Sequence, residues 1–145
     1  MSTTLQSKSK TTIRRILLVD DERDVAFTMQ LVLEDSGFFK VDTFNNAKSA
    51  LSIFKPGVYD LALLDIKMPM LDGFELCRRI KNIDNKIKIC FLTAADLSDY
   101  GVRNSDIIND LGTDCFINKP VKSEDITERL KIMLSCETNK EIKDA

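Results

Sequence analysis

Apolar residues along this 145-residue chain cluster in short runs, each closed by a polar residue that can do chemistry. ILLVDD closes on Asp20 and Asp21, LALLD on Asp65, ICFLT on Thr93, and CFINKP on Lys119 and Pro120. Runs of four to six apolar residues are typical of buried parallel strands. They predict strands over about Ile16–Asp20, Leu61–Asp65, Lys88–Thr93 and Cys115–Asn118, with a shorter one at Val41–Phe44. Between them the apolar period changes from continuous to helical. Val25, Met29, Val32 and Leu33 fit a helix from about Asp24 to Ser36, stopped by Gly37. Ala47, Ala50, Leu51 and Phe54 fit a second, capped by Asn45 or Asn46 and ended by Pro56-Gly57. Phe74, Leu76, Cys77 and Ile80 follow a cap at Asp72. Ile107, Ile108 and Leu111 mark a short fourth helix closed by Gly112. Ile126, Leu130, Met133 and Leu134 stripe a last one, capped by Ser123, with Glu124 and Asp125 in its first turn.

Five strand-then-helix units imply an α/β fold, a doubly wound parallel sheet with helices on both faces. Residues 1–13 read as a flexible basic tail, 14–136 as one domain, and 137–145 as a flexible C-terminal tail. The Met1 start and polar end fit a complete chain, with a fragment of a larger protein as the alternative.

The length suits a single core. The net charge of −2 gives no ground for nucleic-acid binding, although Lys8, Lys10, Arg14 and Arg15 make the first 15 residues basic. No run approaches the ~20 apolar residues of a membrane span, and no apolar leader precedes the first strand, so the reading is cytoplasmic with no membrane partner. There is no histidine, which removes Ser-His and Cys-His catalysis. Cys77, Cys90, Cys115 and Cys136 form no CxxC pair; Cys90 and Cys115 read as buried reduced thiols.

In open α/β sheets ligands bind beyond the carboxyl ends of the strands. Asp20, Asp21 and Asp65 would meet there, and three carboxylates repel unless a cation joins them. Mg²⁺ takes a few carboxylates plus phosphate oxygens and water, and a carboxylate is an accepted phosphoryl nucleophile. Alone, each of these aspartates is as well explained as a helix cap. Lys119 can pair with Asp65 at rest and with a phosphoryl oxygen after transfer. The Thr93 hydroxyl can donate to the same oxygens. The Lys119–Pro120 bond is a candidate cis peptide; a trans proline starting a helix is the alternative.

Asp20-Asp21, LLDIKMPMLDG, LTA and NKP, in this order and spacing, resemble the receiver domain of two-component response regulators over about residues 14–135, in the stand-alone, chemotaxis-regulator-like form. The resemblance implies a flavodoxin-like sheet of order 2-1-3-4-5 and Asp65 as phosphoacceptor for a histidine kinase or histidine phosphotransfer protein. It implies Mg²⁺ (or Mn²⁺) held by Asp21, Asp65 and the backbone carbonyl of Lys67, with Asp20 holding metal-bound water. Thr93 and Lys119 would sense the phosphoryl group, and Phe116 matches the family's switch aromatic. A downstream protein would bind the face made by the fourth helix, fifth strand and fifth helix, and that face leaves room for a phosphorylation-dependent homodimer. Lys67 and Ala95 would border the path of hydrolytic water. On this reading the chain is not an enzyme beyond its own phosphorylation and dephosphorylation.

The chain departs from the family between Thr93 and Gly112. ADLSDYGVRNSD is several residues longer than expected, with Tyr100 as its exposed candidate and Gly101 as a break. A tolerated surface insertion and a binding loop are both open. Two rivals to the whole reading are a Mg²⁺-dependent aspartyl-phosphate phosphohydrolase and an unphosphorylated pseudo-receiver. The first would need a second carboxylate near Asp65, where Lys67 stands instead.

Overall fold

The computed structural model describes residues 12–94, 106, 109 and 116–144. Strands β1 (Arg14–Val19), β2 (Phe39–Phe44), β3 (Leu61–Asp65), β4 (Lys88–Thr93) and β5 (Phe116–Asn118) form one sheet. Every pairing is parallel, and the order is β2-β1-β3-β4-β5. Helices α1 (Arg23–Asp35), α2 (Ala47–Ile53) and α3 (Gly73–Ile83) alternate with the strands, and a C-terminal helix spans Ser123–Asp144.

Successive strand side chains point to opposite faces, and the alternation divides the core in two. Leu17, Val19, Ala62, Leu64, Ile89 and Phe91 face α2 and α3, packing on Ala47, Ala50, Phe74, Cys77 and Ile80. Ile16, Leu18, Leu61, Leu63, Cys90 and Leu92 face α1 and the C-terminal helix, packing on Met29, Leu33, Ile126 and Leu130. Both faces are covered, which explains why the strands read as continuous apolar runs. All five residues of β3, the central strand, are buried.

Local signals act as their chemistry predicts. The carboxylate of Asp72 caps α3 by accepting from the Glu75 N–H at 2.9 Å, and Asn46, rather than Asn45, caps α2 through the Ser49 N–H. Gly37 and Gly57 take φ of +85° and +80° at the ends of α1 and α2, a conformation that favours glycine. Cys77 and Cys90 are buried and outside any disulfide.

Several boundaries differ from the sequence expectation; β1 already begins at Arg14, two residues before the expected start. Strand β1 stops at Val19, so Asp20 is the first residue beyond it. Strand β2 starts two residues earlier, at Phe39, whose ring is buried against the α1 face. The C-terminal helix continues to Asp144 where a flexible tail from 137 is expected. ETNKEIKD lacks an apolar stripe but consists largely of helix-compatible residues, which can propagate a helix already nucleated by packing upstream. Expectations for residues 1–11, for the 94–111 insertion with Tyr100 and Gly101, for Ala95, Ile107, Ile108, Leu111, Gly112 and Cys115, and for the side chains of Ser123 and Cys136 fall outside the described residues. Within the insertion, Asp106 and Asn109 are helical positions, and Asp106 pairs with Arg78 of α3 at 3.3 Å.

Candidate phosphoryl-acceptor site

Four strand ends converge at the carboxyl edge of the sheet. Asp20 follows β1, Asp65 ends β3, Thr93 ends β4 and Lys119 follows β5. Asp20, Asp65 and Thr93 are the only buried polar or charged side chains among the described residues. The backbone ties the ends together: Ile66 N–H donates to the Leu92 carbonyl at 3.0 Å, and Lys119 N–H to the Thr93 carbonyl at 2.9 Å. These bonds carry the ladder one residue past each strand, so the chemistry stands on rigid backbone.

The loop after Asp65 folds back tightly on β3. Gly73 N–H donates to the Ile66 carbonyl at 2.8 Å. A β-carbon on Gly73 would lie 2.4 Å from the Asp65 carbonyl oxygen and 2.8 Å from the Ile66 α-carbon. Position 73 therefore has no room for a side chain, and the glycine lets α3 start directly against the strand that carries Asp65. Met70, at the loop's apex, takes φ +71° and is fully exposed.

One ligand atom from each of Asp20, Asp21 and Asp65 lies within 4.8 Å of the others. Burial, and then the neighbouring Asp20 charge, push the Asp65 carboxyl up to about 8, only partly opposed by Lys119. A carboxylate so disfavoured when alone calls for a cation, and the hard oxygen donors suit a divalent one such as Mg²⁺. The donor set fits. Lys67 is exposed and, with Asp21, Asp65, Ala94 and Lys119, lines a cleft of about 720 Å³ over the cluster.

Lys119 is the counter-charge. Its Nζ stands 2.9 Å from Asp20 Oδ2, 2.9 Å from Glu22 Oε1 and 3.5 Å from Asp65 Oδ2. Burial works against the ammonium, but the adjacent carboxylates of Asp20 and Glu22 outweigh it and hold its pKa above the ordinary lysine value. The expected pairing with Asp65 is present, yet it is the longest of the three. Glu22 is the site residue that sequence reasoning missed. Its signal is its place directly after the acidic pair, where a third carboxylate must either add to the repulsion or find the cation. The Lys119–Pro120 peptide is cis, the first of the two expected forms.

Phe116 is half-buried on β5, in register with Phe91 of β4. Its ring stacks on Phe91 at 5.3 Å between centroids and tilts against Phe74 of α3 at 6.5 Å. Phe91 and Phe74 are themselves 4.7 Å apart. An aromatic trio thus runs from α3 to β5, two residues short of Thr93. The C-terminal helix is tied to the same strand by Arg129, which donates to the Phe116 carbonyl at 2.9 Å.

A model of the response regulator receiver domain family matches residues 16–131. The chain belongs to this family. Among solved structures, the receiver aligns with a CheY-like response regulator receiver domain protein from Methanospirillum hungatei JF-1. The two share 28% identity at a TM-score of 0.76, over 89% of this chain and 99% of that one. Among curated proteins, it is 32% identical over 120 residues to the transcriptional regulatory protein DltR of Streptococcus agalactiae, over 81% of this chain. It is also 32% identical over 120 residues to the response regulator MprA of Mycolicibacterium vanbaalenii, over 83% of this chain. In both cases the match takes in 50% of the relative, so the receiver spans about half the length of these curated proteins. The fold expected from sequence, including the order 2-1-3-4-5, is the fold found, and the chain is a receiver domain of two-component signalling. Among the described residues no helix is long and apolar enough to cross a membrane.

Proposed function

We propose that Asp65 accepts a phosphoryl group from a phosphohistidine and that the resulting charge switches a protein-binding face of the receiver. The observation that carries this reading is the placement of Asp65: buried at the end of the central strand, 3.5 Å from Lys119, with Asp20 and Asp21 in reach of a shared ion.

In the transfer, an Asp65 carboxylate oxygen attacks phosphorus. The O–P bond forms, the histidine N–P bond breaks, and the imidazole leaves with the electron pair. Asp21, Asp65 and the Lys67 carbonyl would hold Mg²⁺, with Asp20 acting through water; the ion supplies charge neutralisation at the cluster. Lys119 then offers its ammonium, and Thr93 its hydroxyl, to the new oxygens. A hydrogen bond to a charged group contributes about 1.5–3 kcal/mol. Two made only in the phosphorylated state give about 3–6 kcal/mol, against ~5.5 kcal/mol for a full population reversal. Movement of Thr93 toward the phosphoryl group frees space next to Phe116, and β5 with the C-terminal helix changes shape.

The donor would be a histidine kinase or histidine phosphotransfer protein, and the output a downstream protein or a second receiver. A groove of about 480 Å³ opens beside Lys119, with Val25, Met29, Pro120 and Val121 as its apolar lining and Glu22, Asp24 and Thr28 among its polar residues, a mixed surface that could seat part of a donor protein. On this reading the receiver's own chemistry is its phosphorylation and dephosphorylation at Asp65.

Incubation with acetyl phosphate and Mg²⁺ followed by intact mass measurement tests this. One added phosphoryl group in the wild type and none in Asp65→Asn is expected. Turnover of unrelated phosphate esters would favour a phosphohydrolase instead, and no uptake from any donor a pseudo-receiver.

A further inference from the structure

Glu22 is the N-cap residue of α1, yet its side chain makes no capping hydrogen bond. Its backbone N–H is held by Asp20 Oδ1 at 2.9 Å, and its carboxylate turns across the cleft to Lys119 Nζ at 2.9 Å. An N-cap carboxylate would ordinarily serve the free N–H groups of the first turn. This one serves the site's lysine.

The three partners of Lys119 differ in how readily they can be given up. An ammonium has three donors. Asp20 is fully buried, and losing its counter-charge would strand it away from water. Asp65 already stands at the longer distance. Glu22 is 61% exposed, so water can take over its carboxylate if the lysine leaves. A lysine drawn toward new oxygens on Asp65 would therefore release Glu22 first.

We propose that Glu22 is a latch. It is a positioning residue that holds Lys119 on the α1 side of the cleft in the resting receiver and sets the threshold for the move onto a phosphoryl group. The inference rests on the phosphoryl-acceptor reading of Asp65 and adds a residue to it. Because the latch is solvent-exposed, it is modest: releasing it should tighten binding of a phosphoryl mimic by about two- to five-fold.

The test uses the full chain and three variants, Glu22→Gln, Glu22→Ala and Glu22→Asp, read in two ways. The first is the affinity for beryllofluoride in Mg²⁺. The second is the NMR signal of the Lys119 side-chain ammonium in the resting protein, without Mg²⁺ or beryllofluoride. Aspartate keeps the charge but is one methylene shorter, so it separates the latch from a general loss of negative charge. Tighter beryllofluoride binding in Glu22→Ala and Glu22→Asp alike, with a shifted Lys119 signal in both, supports the latch. A gain confined to Glu22→Ala and Glu22→Gln, with Glu22→Asp at the wild-type value, overturns it in favour of bulk charge. An unchanged Lys119 signal in all three variants also overturns it. If the wild type binds no beryllofluoride, the Asp65 reading fails, and the resting Lys119 signal still decides whether the latch exists.

Discussion

The metal-free fold strongly disfavours charge on Asp65, and this has a measurable effect on folding. Its carboxyl is raised from 3.8 to about 8, by burial first and by the Asp20 charge second. In the unfolded chain it titrates near the ordinary aspartate value. Between about pH 4 and pH 8 the folded state thus keeps a proton that the unfolded state has lost, and stability must fall as pH rises through that window. Below the window both states are protonated, and above it both are ionised with the full penalty in force. Asp65→Asn carries no charge and should abolish this slope. One pKa unit corresponds to about 1.4 kcal/mol, so the whole rise has a ceiling of ~6 kcal/mol. Asp65 borders an open cleft, where solvent screens part of the penalty, so we expect ~1–3 kcal/mol between about pH 5 and pH 8. With a urea dependence of ~2 kcal/mol per molar, that moves the midpoint by about 1 M. The assay is urea unfolding followed by circular dichroism in EDTA, wild type against Asp65→Asn, across the window. The variant should overtake the wild type as pH rises. Saturating Mg²⁺ should then restore the wild type near pH 8 and leave the variant unmoved. Parallel pH profiles for the two proteins in EDTA would refute the reasoning.

Gly73→Ala puts a β-carbon 2.4 Å from the Asp65 carbonyl oxygen; chemical denaturation should show a loss of about 1–3 kcal/mol, and the displaced Asp65 should take up phosphoryl from acetyl phosphate more slowly. Thr93→Ala should accept the phosphoryl group, as intact mass would show, but lose the hydroxyl's share of the switch. The amide shifts of β5 on beryllofluoride binding should then shrink, and full-sized shifts would remove Thr93 from the coupling.

Most of the site was legible because its residues sit where strands stop. An apolar run marks the strand, and parallel pairing brings the run ends of β1, β3, β4 and β5 to one edge, so Asp20, Asp65, Thr93 and Lys119 could be placed together before any coordinates. The side-to-side order of the strands came from the family resemblance, since periodicity carries no information about neighbours. The partners of Lys119 were less legible. A four-carbon stem at a known strand end can reach several carboxylates, and which it favours depends on loop geometry that sequence spacing does not encode. Glu22 escaped for that reason: next to two aspartates it reads as one more solvated acid. Gly73 closes the LLDIKMPMLDG motif, but its constraint, the Asp65 backbone against which it packs, is a contact that spacing does not encode. The far end of the C-terminal helix was missed because its polar residues carry no stripe to reveal the period.

The sheet is stiff at one place and loose at another. Asp65 stands on β3, which is buried at every position and hydrogen-bonded on both sides, while Phe116 stands on β5, the edge strand that pairs with β4 on one side. Backbone protection against hydrogen exchange follows such differences in burial and bonding. On the proposed function, the receiver would take its input on an anvil and give its output on a spring. Force applied to the centre finds little that yields until it reaches the margin. Substitutions should sort accordingly: those along β3 decide whether the chain folds, and those along β5 decide how far the signal travels.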